Sequence, residues 1–477
     1  MNVVFAASEA VPFCKTGGLA DVAGSLPQAL RAGGERVSVF LPYYREAREA
    51  AGATREVGRF TVPLGGEPVE GRILEGGVKD ACVYFIDAPR YFDRDGLYAD
   101  AGGEHPDNAD RFAFFSRAVI EAARVLMPKV DLFHAHDWQT AAIPLFLKTL
   151  YRDDPIVGRA GSLLTIHNLA FQGNFPKDCV LRFGLPWSVF TPEGVEFYDQ
   201  FSFVKAGLAF ADRINAVSPQ YAREIASVEF GCGLDGLIRS RGSDVSGIIN
   251  GIDAAYWDPK TDAHLPARYG PDEFQEGKAA CKAALQRECG FDADPSACVF
   301  AAVSRVSHQK GLDLALGALE PRLAAGDRFV LVGRGDRELL SRFERAAARF
   351  PGRLHVHDAF DEPFAHRVYA GADIFLMPSR FEPCGLGQMI AMRYGTPPVA
   401  VATGGLADTV PPHGFLSLRA EVDSVSGVVE AARGAFSRPE AWSERVRSGM
   451  LADFSWDAPA ERYRSLYREA AGVARFR

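Results

Sequence analysis

Glu382 lies in the stretch Pro378 to Val410, PSRFEPCGLGQMIAMRYGTPPVAVATGGLADTV, where an acidic side chain, a glycine loop and a helix start fall together. The run DIFLMP, Asp373 to Pro378, reads as a buried strand stopped by proline, and Gly387 to Tyr394 suits a helix closed by Gly395. The amides of Cys384, Gly385, Leu386 and Gly387 then point into the loop. Unpaired N–H groups at such a helix start suit an anion, and glycine lets a ligand approach the main chain. Glu382 stands at the mouth as an acceptor for ligand hydroxyls. Two further clusters carry cations. Lys15 precedes Gly17 and Gly18 after the first strand, and Arg305 and Lys310 follow a strand in SRVSHQKG. A cation beside a glycine turn at a strand's C-terminal end is a phosphate-binding expectation.

Asp137 in HAHDW and His167 in TIHN fall at the ends of two more strands. Taken together, a leaving diphosphate would find cations and amides at Arg305, Lys310 and the 384–387 loop. A sugar would find hydroxyl acceptors at Asp137 and Glu382, and an oxocarbenium-like centre would find an imidazole dipole at His167. A sugar nucleotide is the ligand this set describes. His134, His136, Asp137 and His167 also invite a metal, but HAHD lacks the further Asp-His of HxHxDH hydrolases. No downstream histidine has ligand spacing, so no metal is expected. His134, inside its strand, is expected to be packed or hydrogen-bonded.

The elements that must position these residues alternate. Val3 to Ala7 reads as a strand, about Asp21 to Ala32 as a helix ending at Gly33-Gly34, and Arg36 to Leu41 as a second strand. That order opens a doubly wound parallel sheet. Tyr84 to Asp87 is another strand, followed by a long polar loop and a helix over Asn108 to Leu126. A helix is expected over Phe197 to Phe210. SGIINGID, with its turn signal at Asn250-Gly251, reads as a crossing into a second α/β set that begins at Cys298 to Val303. TGGLAD occurs twice, at Thr16–Asp21 and Thr403–Asp408, and suggests two glycine turns with matching backbone demands.

Composition limits the alternatives. A chain of 477 residues exceeds one ordinary core. A net charge of −8 gives no electrostatic case for nucleic acid or an anionic membrane. MNVVFAASEA lacks a basic region and a long apolar run, and eight scattered cysteines without a CxxC pair suit a reducing cytoplasm.

The motifs KTGGLADV, YFDRDGLY, PDNADRFAFF, HDWQTAA, IHNLAFQG, INGID, SRVSHQKG, PSRFEPCGLGQ, ATGGLADTV and FSW, in this order, resemble the bacterial glycogen synthase and plant starch synthase family, glucosyltransferases of the GT-B fold. The resemblance implies two Rossmann-like doubly wound α/β domains facing across a deep cleft. Residues 1–245 would form the acceptor-side domain, completed by a returning helix at 457–477, and residues 246–456 the nucleotide-sugar domain. It implies retaining transfer of glucose from ADP-glucose to the non-reducing end of an α-1,4-glucan, glycogen or a malto-oligosaccharide, with no metal and no pyridoxal phosphate.

On the matching positions, Lys15 would bind donor phosphates, with Gly17 and Gly18 bordering the reaction centre. Asp137 would bind the transferred glucose, His167 would approach the anomeric region, and Arg305 and Lys310 would stabilise the leaving ADP. Glu382 with Cys384, Gly385 and Leu386 would hold the glucose. The resemblance extends substrate contacts to Asp21, Tyr98, Asn168, Asn250, Gly387 and Thr403, and packs Tyr463 and Tyr467 on the first domain. Four positions depart from the family pattern. Gly387 stands where Thr is usual, Val401 for Arg, Gln139 for His, and Phe360 for Tyr near the expected base site. The residues alone leave UDP-glucose open as the donor.

Overall fold

The computed structural model describes residues 1–77 and 83–475 and divides into two compact units, Met1–Gly251 with Trp456–Arg477, and Ile252–Ser455. The chain therefore leaves the first unit at Gly251, not at the expected 245. The reason is Val245–Gly247, which pairs with Arg213–Ala216 as the last strand of the first sheet.

The main sheet of the first unit has nine strands among the described residues: β1 Asn2–Ala6, β2 Arg36–Pro42, β3 Arg55–Leu64, β4 Glu67–Gly76, β5 Val83–Asp87, β6 Leu132–His136, β7 Gly161–Ile166, β8 Arg213–Ala216 and β9 Val245–Gly247. Their order across the sheet is β9-β8-β7-β6-β1-β2-β5-β4-β3. Seven are parallel, and β3 and β4 add an antiparallel hairpin at one edge that the motif order did not announce. Val3, Val4, Phe5 and Ala6 have no exposed surface, as expected of a strand covered on both faces. Burying each large apolar side chain contributes roughly 1.5–3 kcal/mol, so Phe5→Ala would cost about 3–5 kcal/mol.

Helix Gly18–Ala32 buries Leu19, Val22, Ala23, Leu26 and Leu30, a single apolar stripe against the sheet. It starts three residues before the expected Asp21. The expected helix over Phe197 to Phe210 forms only from Phe203. Before it, Glu196–Phe197 and Gln200–Ser202 pair as a short antiparallel ribbon, turned by Tyr198 and Asp199 at φ 50° and 62°. The terminal helix Asp457–Arg475 returns to this unit, as the resemblance implied; residues 476–477 of its expected span lie outside the described residues. Tyr467 Oη meets His134 Nδ1 at 2.8 Å, and Tyr463 Oη accepts from Asn215 Nδ2 at 2.9 Å. His134 is packed and hydrogen-bonded, as its place inside a strand suggested.

The second unit holds six parallel strands: β10 Val299–Val303, β11 Arg328–Val332, β12 Leu354–His357, β13 Ile374–Met377, β14 Pro398–Val401 and β15 Phe415–Ser417, in the order β12-β11-β10-β13-β14-β15. Phe300, Phe329, Leu331, Phe343, Val425 and Val429 are among the residues of its core. Each sheet reverses its winding once. In the first the reversal lies between β1 and β6, in the second between β10 and β13. Open α/β sheets bind ligands beyond the strand ends at such a reversal. No helix among the described residues is long and apolar enough to cross a membrane.

Candidate functional site

In the first unit the chain leaves β1 into Ser8-Glu9 and a loop that returns at Lys15 to Gly18. Glu9, 4% exposed, holds that return in place. Its carboxylate accepts from the Thr16 and Gly17 amides and from Thr16 Oγ1, the last at 2.9 Å. Burial outweighs these bonds and pushes the Glu9 carboxyl up to about 7. Sequence reasoning passed over Glu9. A lone acid after a strand carries no pattern, and only the fold brings residues 16 and 17 back to it. Lys15 is exposed, and its Nζ lies 2.7 Å from Asp21 Oδ1, so two expected site residues are paired. A Cβ at Gly18 would meet no atom within 4 Å, so open space borders the turn.

Tyr98 reaches the same place from the loop after β5. Fully buried Arg111 organises that loop, donating to the Tyr91 and Leu97 carbonyls at 2.8 and 2.9 Å and to Asn108 Oδ1 at 2.7 Å. Tyr98 Oη meets Ser8 Oγ at 2.7 Å, beside Glu9.

Asp137, just past β6, sits at φ 53°, a left-handed conformation that is uncommon for a residue with a side chain. Its Oδ1 accepts from the His167 amide at 2.7 Å and from the Asn168 amide at 3.3 Å. Asp137 thus ties the end of β6 to the end of β7. Burial, opposed by those two amides and assisted by the charge of Glu9, pushes its carboxyl up to about 7. The His167 imidazole is half-buried, and burial lowers it to about 3. Its Nε2 lies 2.9 Å from His136 Nδ1. Asn168 turns its Oδ1 to the Ala170 amide at 3.1 Å. Asn250, also in this unit, is 5% exposed, and its Oδ1 has no partner among the described residues.

In the second unit the loops after β10 and β13 lie directly on one another. Gly311 is at φ 62°, and a Cβ there would stand 2.0 Å from the Pro378 carbonyl oxygen. The Arg380 amide donates to Gln309 at 2.9 Å, and Arg380 grips Asp313 with two bonds of 2.8 and 2.7 Å. This lacing sets Lys310 Nζ 2.6 Å from Glu382 Oε2, which also accepts from Ser379 Oγ at 3.0 Å. Glu382 is 5% exposed.

The loop carrying Glu382 rests on the second TGGLAD turn. The Gly405 amide donates to Glu382 O at 3.1 Å and Pro383 O at 3.2 Å. Gly404 is at φ 43°, where a Cβ would stand 1.9 Å from Glu382 O; at Gly405 it would stand 2.2 Å from Cys384 O. Here glycine is demanded by neighbouring backbone. Gly17 is instead extended, and its helix begins at Gly18, whereas the second helix begins at Gly404 behind Thr403. The expectation of matching backbone demands fails, because only the second turn is pressed against another loop.

Gly385, at φ 75°, turns the chain into helix Gly387–Arg393, with Leu386 as its cap and Cys384 buried behind it. Gln388 Nε2 fastens the loop through Cys384 O, Gly385 O and Thr409 Oγ1 at 3.2, 2.9 and 3.0 Å. A Cβ at Gly387 would lie 3.3 Å from Tyr369 Oη and from the Phe375 ring, so a larger residue would press on both. Val401 ends β14, 4% exposed, and Gln139 is 6% exposed with no partner for Oε1 among the described residues.

Arg305 is exposed, and its guanidinium makes no ion pair or hydrogen bond among the described residues. It borders a cavity of about 430 Å³ with Ser307, Arg334, Arg337, Asp358 and Phe360. Lys310 and Glu382 do not line this cavity. Phe360 is 73% exposed, an aromatic face offered to solvent. Arg334, Arg337 and Asp358 were not expected; the glycines at 333 and 335 were the available signal, since both let the strand ends approach within contact. Among the described residues no group of three or more His, Cys, Asp or Glu side chains is arranged to hold a metal ion.

Comparison with known proteins agrees with this architecture. The family profile for the starch synthase catalytic domain matches residues 2–240, and that for group 1 glycosyl transferases matches residues 297–435. A glycogen synthase from Syntrophotalea carbinolica is 42% identical, with 98% of this chain and 99% of the relative covered. A glycogen synthase from Anaeromyxobacter dehalogenans is 46% identical, with 99% and 100% covered. Among solved structures, the catalytic domain of starch synthase IV from Arabidopsis thaliana, bound to ADP and acarbose, superposes with a TM-score of 0.91 at 32% identity. It covers 98% of this chain and 99% of that one. A sucrose-phosphate synthase from Thermosynechococcus elongatus, 18% identical with a TM-score of 0.60 and 99% of each chain covered, shares the fold.

Proposed function

Because the chain belongs to the glycogen and starch synthase family of glycosyltransferases, we infer that it transfers glucose from ADP-glucose to the non-reducing end of an α-1,4-glucan, retaining configuration and releasing ADP. The observation that carries this reading beyond kinship is the cation and carboxylate set at the winding reversal of the second sheet. Arg305 is uncommitted, and Lys310 is held against Glu382 at 2.6 Å.

The second unit is the nucleotide-sugar side. Arg305 and Lys310 neutralise the charge that builds on the leaving ADP, the largest electrostatic change in the reaction. Glu382 and the main chain of Cys384, Gly385, Leu386 and Gly387 hold the glucose, with Thr403 beside them. The first unit is the acceptor side. Lys15, with Asp21 as its resting partner, contacts the donor phosphates. Gly17 and Gly18 leave room at the reacting centre, Asp137 and His167 face the transferred sugar, and Tyr98, Asn168 and Asn250 complete the contacts. Charge is neutralised by side chains, so the scheme calls on no metal ion and no pyridoxal phosphate. A glycogen or malto-oligosaccharide acceptor in the cytoplasm is the setting, with no role for nucleic acid or a membrane.

Labelled glucose supplied in parallel as ADP-glucose and UDP-glucose, with glycogen as acceptor, tests the reading. Incorporation from ADP-glucose, unchanged by EDTA, is the expected result. Incorporation from UDP-glucose alone would overturn the donor assignment, and none from either would overturn the activity.

A further inference from the structure

Beneath His167 lies a histidine to which the scheme above gives no task. His136 ends β6 with no exposed surface, and its Nδ1 is 2.9 Å from His167 Nε2. Its ring cannot swing away. The Phe5 ring centroid is 4.2 Å from it and that of His134 is 4.0 Å. His134 is itself fixed at both nitrogens, Nδ1 by Tyr467 Oη at 2.8 Å and Nε2 by Thr165 Oγ1 at 2.7 Å. The His136 main chain is clamped by Thr140 Oγ1, which accepts from its amide at 2.6 Å and donates to its carbonyl at 2.8 Å.

Burial keeps His136 and His134 well below the ordinary histidine range and His167 at about 3, so all three imidazoles are neutral at neutral pH. Two neutral imidazoles in N···N contact share one proton, so the tautomer of one dictates that of the other. His136 Nε2 is buried without a partner among the described residues. A buried N–H with no acceptor is rarer in folded proteins than a bare acceptor. The arrangement that avoids it puts the His136 proton on Nδ1, donating to His167 Nε2. The single proton of His167 is then on Nδ1, a nitrogen with no partner among the described residues and not sealed from solvent.

We propose that His136 is a positioning residue for glucosyl transfer: it holds His167 as the Nδ1–H tautomer, aimed as a hydrogen-bond donor at an oxygen of the transferred sugar. This rests on the reading of His167 as a sugar-facing residue. The assignment of the proton itself does not, and the two can fail separately.

The whole 477-residue chain, carrying 15N-labelled histidine and free of ligand, gives the first readout. The His167 resonance, identified by its loss in His167→Gln, is expected to show a protonated Nδ1 and a bare Nε2. A protonated Nε2 would overturn the tautomer assignment whatever the reaction is. Kinetics give the second. His136→Phe fills the site without a donor and is expected to lower kcat roughly ten- to a hundredfold, the scale for outer partners of functional histidines, with KM for ADP-glucose little changed. His136→Asn, whose Nδ2 falls near the position of Nδ1, is expected to recover most of that loss. A wild-type kcat in the Phe variant would show that His136 only packs. Equal losses in both variants would also overturn the positioning role, because a structural residue would not be rescued by its donor.

Discussion

Lys310 and Glu382 are 72 residues apart in sequence and 2.6 Å apart in space, joined across the winding reversal of the second sheet. Neither residue is placed there by its own element alone. Gly311 lets the loop after β10 touch Pro378, and the Gly404-Gly405 turn supports the main chain of Glu382 from the other side. On the function proposed above, the pair would couple a site for leaving-group charge to a site for sugar hydroxyls within one hydrogen-bonded cluster.

Glu382→Gln keeps the shape of that cluster and removes its negative charge. Turnover is expected to fall roughly 100-fold, the scale of one lost preorganised electrostatic contact. Lys310, 16% exposed at its side chain, is then left partly buried beside a neutral amide. Breaking a fully buried pair costs about 3–5 kcal/mol; water reaches Lys310, so about 1–3 kcal/mol is expected in urea unfolding. Near-normal kcat with that loss of stability would make Glu382 a structural residue.

Arg305 separates binding from folding. With no side-chain partner for Arg305 among the described residues, Arg305→Ala is expected to leave unfolding free energy within about 0.5 kcal/mol of the parent, as for other uncommitted surface residues. ADP affinity is expected to fall by about 1.5–3 kcal/mol, the cost of one charge-assisted contact. Titration calorimetry measures the second quantity, and unchanged affinity would remove Arg305 from the phosphate site.

What could be read from the sequence, and what could not, follows from the kind of signal each residue leaves. Strands β1, β6, β7, β10 and β13 are short apolar runs buried on both faces, so their C-terminal ends were legible, and with them the positions of Asp137, His167, Arg305 and Glu382. The β3–β4 hairpin was legible but was not read. Its signal was present and passed over: buried Phe60, Val62 and Leu64 alternate with exposed Arg59, Thr61 and Pro63, and Gly65-Gly66, both at positive φ, make the two-residue turn into Glu67–Gly76. The ribbon at Glu196–Ser202 was hidden because the helical periodicity of Phe203–Phe210 extends back through it, while Tyr198 and Asp199 turn the chain at positive φ. Glu9 was missed, and His136 was weighed only as a metal ligand, for a different reason. Their importance lies in contacts with Thr16 and His167, which no spacing rule connects to them. Repeated letters also misled: TGGLAD forms an open turn once and a compressed one the second time.

That last contrast can be measured. Gly18→Ala meets no atom within 4 Å, so stability is expected to be unchanged or slightly raised. Any loss of activity then reports on a ligand using the open space. Gly405→Ala would set a Cβ 2.2 Å from Cys384 O, and the loop bearing Glu382 must move. Overpacking of this kind costs about 1–3 kcal/mol. Comparison of unfolding midpoints and kcat for the two variants decides it, and equal stability in both would mean that the Cys384 loop adapts freely.

Glu9 yields a prediction with a definite sign. Its carboxyl goes from an ordinary 4.5 to about 7 in the folded protein, because burial disfavours the charged form. A group raised by folding contributes stability that is fully present below its unfolded value and is lost as pH rises through its folded value. The window is therefore pH 4.5 to about 7, with about 3 kcal/mol at stake. The buried histidines act in the opposite sense. Their folded values are lowered, so their contribution is present above the ordinary 6.5 and is lost as pH falls. Asp137, also raised to about 7 and in part by the charge of Glu9, acts in the same sense as Glu9, so comparison with a Glu9 variant singles out the part of the profile that depends on Glu9. Glu9→Gln cannot ionise, so its stability relative to the parent should improve from pH 4.5 to about pH 7 and level off above it, whatever constant offset comes from its altered bonds to Thr16 and Gly17. Urea unfolding of both proteins at pH 5 and pH 8 measures the difference. A relative stability that stays flat between those values would mean that Glu9 titrates as an ordinary carboxylate, held open to water by the loop it was thought to close.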